Sequence, residues 1–265
     1  MKFAGIIAEY DPFHNGHAWQ LAQAKALGAE RVAVAMSCSL VQRGALPLLP
    51  EAVRTRSALT CGADLVFALP APCACAGAEA FARAGVALLA AAGCDGLVFG
   101  AETPDAALLM EAAELLDSSS YRAALKAQLA GGARSFAAAR QAAAAQLASD
   151  ERVAALLDKP NNNLAVEYCR AIRSLAPRME AYPLPRQGAN HGEALHSAHG
   201  QFASASALRK LWAEGGADAV APYVPEAVFP LYQEAYAAGQ YTDFSAAGRC
   251  ELCLLYTSDA ADDMQ

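Results

Sequence analysis

His14 and His17 stand three residues apart in the string Glu9-Tyr10-Asp11-Pro12-Phe13-His14-Asn15-Gly16-His17, and their spacing suggests chemistry. On a helix that spacing puts both rings on one side. A helix start adds free backbone N–H groups and the positive end of the helix dipole. Two imidazoles beside such a terminus suit a nucleotide's phosphates, above all the charge that develops on an α-phosphate under attack. Gly16 lets the backbone approach closely. The same pair could instead be half of a metal site, with Glu9 or Asp11 as the further ligand.

The elements that must position these rings are readable in the first hundred residues. Short apolar runs at 3–8, 31–36, 64–69 and 96–99 read as buried strands. Between them, 16–27, 50–61 and 77–92 have helical spacing, with stops at Gly28, Gly62 and Gly93. Strand–helix alternation predicts right-handed βαβ units and an α/β fold, a parallel sheet flanked by helices. The pair then sits where a strand ends at Ala8 and a helix opens near Asn15 or Gly16, at the carboxyl edge where α/β ligands bind.

From 103 to 157 the composition turns to Ala, Leu, Glu, Arg and Gln, predicting a helical insertion broken near Ser118–Ser120 and Gly131–Gly132. A helix over 163–174, a strand over 178–182 and helices over 204–213 and 225–238 follow. The expected organisation is an ATP-binding domain over 1–215 and the start of a helical region over 216–265. The end, LLYTSDAADDMQ, is unlike what precedes it and reads as a foreign or frameshifted tail on a truncated gene.

Composition bounds the class. The chain has 265 residues, 55% hydrophobic and 18% charged, which excludes general disorder. No apolar run is long enough to span a bilayer, and Glu9 arrives too early for a signal peptide, so a cytoplasmic protein is expected. A net charge of −7 and a pI near 5.2 argue against nucleic-acid binding as the whole function, although a local basic patch is compatible with them. Cysteines at 38, 61, 73, 75, 94, 169, 250 and 253 read as small hydrophobes rather than as disulfides or a zinc site.

His14-Asn15-Gly16-His17 has the HxGH form of the nucleotidyltransferase superfamily. The longer string resembles a narrower family when read with five further blocks. These are Met36-Ser37 with Val41-Gln42-Arg43-Gly44, Gly62-Ala63-Asp64-Leu65-Val66-Phe67-Ala68-Leu69-Pro70, Phe99-Gly100-Ala101-Glu102, Lys159-Pro160-Asn161-Asn162 and Ser204-Ala205-Ser206-Ala207-Leu208-Arg209. Together they look like bacterial tRNA(Met) cytidine acetate ligase. That resemblance implies an enzyme, a ligase, that activates acetate with ATP as acetyl-adenylate and passes the acetyl group to N4 of the wobble cytidine of elongator tRNA(Met). Mg²⁺ is expected on the phosphates.

Carried onto this chain, the resemblance makes His14 and His17 the catalytic pair. The ATP-binding segment runs from Ile7 and Ala8 through Glu9-Tyr10-Asp11-Pro12-Phe13-His14-Asn15-Gly16-His17 to Ala18-Trp19-Gln20. Gly100, Asn161 or Asn162, and Arg186 match further ATP-contacting positions, and Ser204, Ser206 and Arg209 fit phosphate. Each also has a plain reading. Gly100 can be a turn after a strand, one asparagine of 161–163 an N-cap, Arg186 a solvated charge, and Ser204 an ordinary cap. Asp64 and Glu79 read as solvated surface. Gln42 and Arg43 lie in a long loop of the kind that contacts substrate. There the chain departs from the family, with Ala45, Leu46 and Glu51 replacing its acidic residue, Pro and Lys while Arg54 is kept. Two other functions fit the HxGH segment: a nucleotidyltransferase acting on a phosphorylated small molecule, and a nucleotide-binding module without turnover.

Overall fold

The computed structural model describes residues 1–132, 135–185, 195–197 and 200–243. Five strands, β1 (Phe3–Ala8), β2 (Arg31–Ser37), β3 (Leu65–Leu69), β4 (Gly96–Ala101) and β5 (Glu180–Pro185), make one sheet in the order β3-β2-β1-β4-β5. β1, β4 and β5 run parallel, with Gly5 opposite Leu97 and Val98 opposite Tyr182. The strand order reverses between β1 and β4, the kind of switch point where α/β sheets take ligands at strand carboxyl ends. Among the described residues, no helix is long and apolar enough to cross a membrane.

By contacts the chain divides into two compact units. The first comprises residues 1–8, 20–35 and 76–187. It contains α4 (Ala78–Ala91), α5 (Ala106–Asp117), α6 (Ser119–Ala130), α7 (Phe136–Leu147), α8 (Glu151–Leu156) and α9 (Pro160–Leu175). Its core is built on near-continuous apolar strands, Ile6, Leu97 and Val98 being fully buried, as a strand covered on both faces requires. Gly85 makes room for β1. A Cβ there would lie 2.5 Å from Ile7 Cδ1, so the helix and strand close only because residue 85 has no side chain. The Asp95 carboxylate ties the start of β1 to the approach to β4, accepting from the backbone N–H of Lys2 at 2.8 Å and of Phe3 at 3.0 Å.

An ion network centred on the buried Glu167 braces the helices. Glu167, 3% exposed on α9, accepts from Arg140 of α7 at 2.6 Å and from Arg170 at 2.7 Å. Arg170 also reaches Asp117 at 2.7 Å and Glu79 at 3.3 Å. Burial is the largest single influence on the Arg170 guanidinium and pulls its pKa down, but Asp117 and Glu167 together outweigh it and hold the pKa above its usual value.

The second unit comprises residues 9–19, 36–75 and 188–265. It includes the first turns of α1 (Asn15–Ala26), then α2 (Glu51–Thr60), α3 (Ala71–Ala74), α10 (Ala205–Ala219) and α11 (Phe229–Ala237). A small antiparallel ribbon of β6 (Leu195–Ser197) and β7 (Gly200–Phe202) pairs Leu195 with Phe202. Trp212, 3% exposed, meets Tyr232 and Tyr241 edge to face at 5.9 and 5.8 Å.

The strand–helix alternation stands where the apolar runs place it. Several expectations need correction. β4 extends to Ala101, so Gly100 lies inside the strand opposite Leu184 rather than in a turn after it. The helical insertion has a further break at 148–150, where Asp150 caps α8. α9 begins at Pro160, which suits a first helical position, so residues 161–163 are already helical and its N-cap is Lys159. None of the three asparagines is therefore the cap. The short α3 and the β6–β7 ribbon have no counterpart in the sequence pattern, being too brief to show a period. Arg186, Cys250, Cys253 and the tail lie outside the described residues.

Candidate active site

β1 ends at Ala8, and the chain leaves it through a tight loop into α1. Tyr10 adopts φ +50, a left-handed conformation uncommon for a side-chain-bearing residue. Its ring is 1% exposed and packs edge-on against Phe13 at 4.9 Å and His17 at 4.8 Å. The Tyr10 hydroxyl is buried and has no hydrogen-bond partner among the described residues, and burial pushes its pKa well above the usual phenol value. Strained backbone and an unsatisfied buried hydroxyl are features that collect at functional sites.

His14 and His17 stack with ring centroids 3.8 Å apart. The backbone N–H of Gly16 donates to Nδ1 of His14 at 3.0 Å, and that of His14 donates to Nδ1 of His17 at 3.3 Å. An Nδ1 that accepts a hydrogen bond leaves Nε2 as the ring's donor. The motif's own backbone thus sets two parallel imidazoles as Nε2–H donors. A Cβ on residue 16 would sit 2.9 Å from Cε1 of His14, which explains the glycine. The chain between strand and helix is pinned from behind, with Tyr232 donating to the Phe13 carbonyl at 2.7 Å and the Asn15 amide to the Pro222 carbonyl at 3.3 Å.

Charged groups hold the loop. Asp11, 3% exposed, accepts from the Leu48 N–H at 2.6 Å and from Arg209 at 3.0 Å. Arg209 also donates to the Asp11 carbonyl at 2.6 Å. Glu9 accepts from the Gln42 N–H at 2.6 Å, which ties the long loop of residues 38–50 to the strand exit. Arg54 is completely buried. It donates to the carbonyls of Leu49 at 3.0 Å, Glu9 at 2.7 Å and Ser37 at 2.6 Å, and to that of Cys38. Burial pushes both guanidiniums below their usual pKa, with Asp11 opposing the shift, and a guanidinium still stays cationic at any working pH.

In this unit the structure gathers Glu9 through Trp19 with Arg209. Ser204 caps α10, its hydroxyl accepting from the Ala207 N–H at 3.3 Å and lying 3.1 Å from that of Ser206. Among the described residues no cluster of three or more His, Cys, Asp or Glu could hold a metal ion. Burial pushes the thiols of Cys38 and Cys61 up to about 11, leaving them protonated at neutral pH.

In the first unit, Ile7 and Ala8 end β1, and Gln20 donates to the Val98 carbonyl at 3.1 Å. Glu102, just past β4, accepts from the backbone N–H of Asn161 at 3.3 Å and of Asn162 at 2.7 Å, and from the Asn161 amide at 2.6 Å. A carboxylate from 59 residues away thus caps α9, a favourable place for negative charge. Asn162 is fully buried and exchanges both its amide atoms with Thr103, at 3.0 and 3.1 Å. Asn161 is half-buried. Glu79 is not merely solvated, since it reaches Arg170. The capping by Glu102 and the carbonyl grip of Arg54 escape sequence reasoning, because neither has a local signal.

Curated relatives resemble the chain over most of its length. The tRNA(Met) cytidine acetate ligase of Syntrophotalea carbinolica is 41% identical over 218 residues, 81% of this chain and 52% of that protein. The ligase of the same name from Caldanaerobacter subterraneus is 35% identical over 91% of this chain and 60% of its own length. This chain therefore spans between half and three fifths of those relatives. The crystal structure of Thermotoga maritima TmcAL bound with alpha-thio ATP superposes with a TM-score of 0.81 at 30% identity, covering 91% of this chain and 57% of that one. A family model described as HIGH Nucleotidyl Transferase matches residues 1–261. With the match running through nearly the whole sequence, and the paired histidines lying inside it, the chain belongs to the HIGH nucleotidyl transferase family.

Proposed function

We propose that this chain carries the ATP-handling part of a tRNA(Met) cytidine acetate ligase. Acetate attacks the α-phosphorus of ATP, pyrophosphate leaves, and acetyl-adenylate forms. N4 of the wobble cytidine of elongator tRNA(Met) then attacks the acetyl carbonyl, and AMP departs as the amine loses a proton. The observation that carries this reading is the stacked pair His14 and His17, each held by a backbone N–H as an Nε2–H donor. Two fixed donors stabilise charge growing on phosphate oxygens without reorganising at the moment of reaction. The choice of acetate and tRNA rests on the relatives of that name.

Within this reading the ATP-binding segment is residues 7–20. Arg209 uses Nη1 on Asp11, leaving the rest of its fork for a phosphate, and Ser204 and Ser206 supply hydroxyls beside it. Of the two asparagines, Asn161 is assigned to ATP, because Asn162 is buried and engaged with Thr103. Gly100 and Arg186 keep an assignment to ATP by family resemblance. Mg²⁺ would neutralise phosphate charge. Glu9 and Asp11 are committed to Gln42, Leu48 and Arg209, so the protein's residues fit an ion carried on ATP's own oxygens and water. A cytoplasmic setting follows from a tRNA substrate.

The test is pyrophosphate release from ATP and Mg²⁺ with and without acetate, in the unsubstituted chain and in His14→Ala. Acetate-stimulated release that disappears in the variant supports the reading. Release that ignores acetate and responds to a phosphorylated acceptor would transfer the site to nucleotidyl transfer on a small molecule.

A further inference from the structure

The first unit also carries a cavity of about 610 Å³ whose walls include Arg83, Arg122, Tyr121 and Phe136. That volume lies within the range of roughly 300–1,000 Å³ typical of small-molecule sites. Its cations fall into two groups. Arg140 and Arg170 are committed to Glu167, Asp117 and Glu79, and this network fixes one wall. Arg122 has no ion-pair partner among the described residues, and Arg83 donates only to the Ser174 hydroxyl, at 3.2 Å. Both are exposed. The acidic side chains of the cavity are thus engaged with Arg140 and Arg170, and two guanidiniums remain for an anion.

Phe136, at the first turn of α7, is 61% exposed, the largest exposure of any large apolar side chain reported for the described residues. Unpaired guanidiniums and a bare aromatic face on one concavity are the two halves of nucleotide recognition, cation for phosphate and ring for base. We propose that this cavity binds a nucleotide unit, with its phosphate at Arg83 and Arg122 and its base against Phe136. The local basic character is notable in a chain of net charge −7. The inference goes beyond acetyl transfer and stands or falls independently of it. A free mononucleotide and one residue of a single-stranded RNA present the same chemistry.

The experiment uses 2-aminopurine riboside 5′-monophosphate and a short oligoribonucleotide carrying 2-aminopurine at its centre, because stacking quenches that fluorophore. Titrations compare the unsubstituted chain, Arg122→Glu, Phe136→Ala and His14→Ala. Both cavity substitutions fall on exposed residues, and a matching melting temperature verifies the fold. The expected result is quenching by at least one probe, weakened roughly tenfold or more by Arg122→Glu and by Phe136→Ala, and retained in His14→Ala. Saturation by the mononucleotide identifies a free nucleotide as the source, and by the oligonucleotide alone, an RNA strand. No saturable binding of either probe overturns the proposal, as do affinities equal to the unsubstituted chain in both cavity variants. Weakening by Arg122→Glu alone also overturns it, in favour of a bare anion site.

Discussion

The backbone N–H of Gly16 donates to Nδ1 of His14 at 3.0 Å, and a Cβ on residue 16 would lie 2.9 Å from Cε1 of the same ring. One residue therefore both fixes the proton of the imidazole on Nε2 and leaves the ring its place. Its hydrogen bond and its missing side chain serve the same neighbour.

Gly16→Ala separates these roles from stability. Alanine is the better helix former by roughly 1 kcal/mol, so the helix itself loses nothing. The new methyl must push the His14 ring aside. Losing one aligned donor to a developing oxyanion costs roughly 10²–10³ in rate. Acetate-dependent pyrophosphate release should fall by about 10²-fold while the melting temperature moves by only a few degrees. A variant with unimpaired release would show that ring position does not matter.

The histidine pair was legible because its signal is local: two residues, a glycine and a strand–helix junction within one string. The strands of the first hundred residues were legible for the same reason, each being a short apolar run, with the helices between them ended at Gly28, Gly62 and Gly93. Arg54 illustrates the opposite case. The sequence shows only an arginine on a polar helix, whereas its carbonyl partners on Glu9, Ser37, Cys38 and Leu49 come together only in the folded chain. The reading of one asparagine of 161–163 as the N-cap fails because the N–H groups at the helix start are met by the Glu102 carboxylate, which arrives from another element.

Arg54 should be the most stability-sensitive cation in the second unit. Arg54→Met leaves buried carbonyls of Leu49, Glu9, Ser37 and Cys38 without donors, and such losses cost roughly 3–5 kcal/mol. Arg54→Lys should recover little, because an ammonium lacks the planar fork that spans several carbonyls. Urea denaturation of both variants measures this. A lysine variant as stable as the parent would mean that charge alone suffices.

Glu102 should contribute through α9. Glu102→Ala removes the acceptor for two helix-start N–H groups and for the Asn161 amide, a loss of about 1–2 kcal/mol on cap precedent. Glu102→Gln keeps an acceptor and loses the charge facing the helix dipole, so about half the effect should remain. Hydrogen exchange at the Asn161 and Asn162 amides should accelerate in the alanine variant. Unchanged protection there would place the cap elsewhere.

Asp95 gives the pH dependence. Burial alone would raise its pKa, but the N–H groups of Lys2 and Phe3, aided by the N-terminal ammonium, outweigh that and hold the carboxyl below its usual value. A carboxyl depressed in the folded state binds its proton more readily when unfolded, so its contribution is complete above the unfolded pKa of about 3.9. It is lost as pH falls through the lower, folded value. Asp95→Asn should therefore destabilise the chain by about 1 kcal/mol at neutral pH, a modest figure because the site is exposed. The gap between parent and variant should stay constant from neutral pH down to roughly pH 5 and close at more acid pH. Denaturation midpoints across that range measure it. A gap that widened on acidification would reverse the sign of the linkage and remove the strand-anchoring role from the ionised form of Asp95.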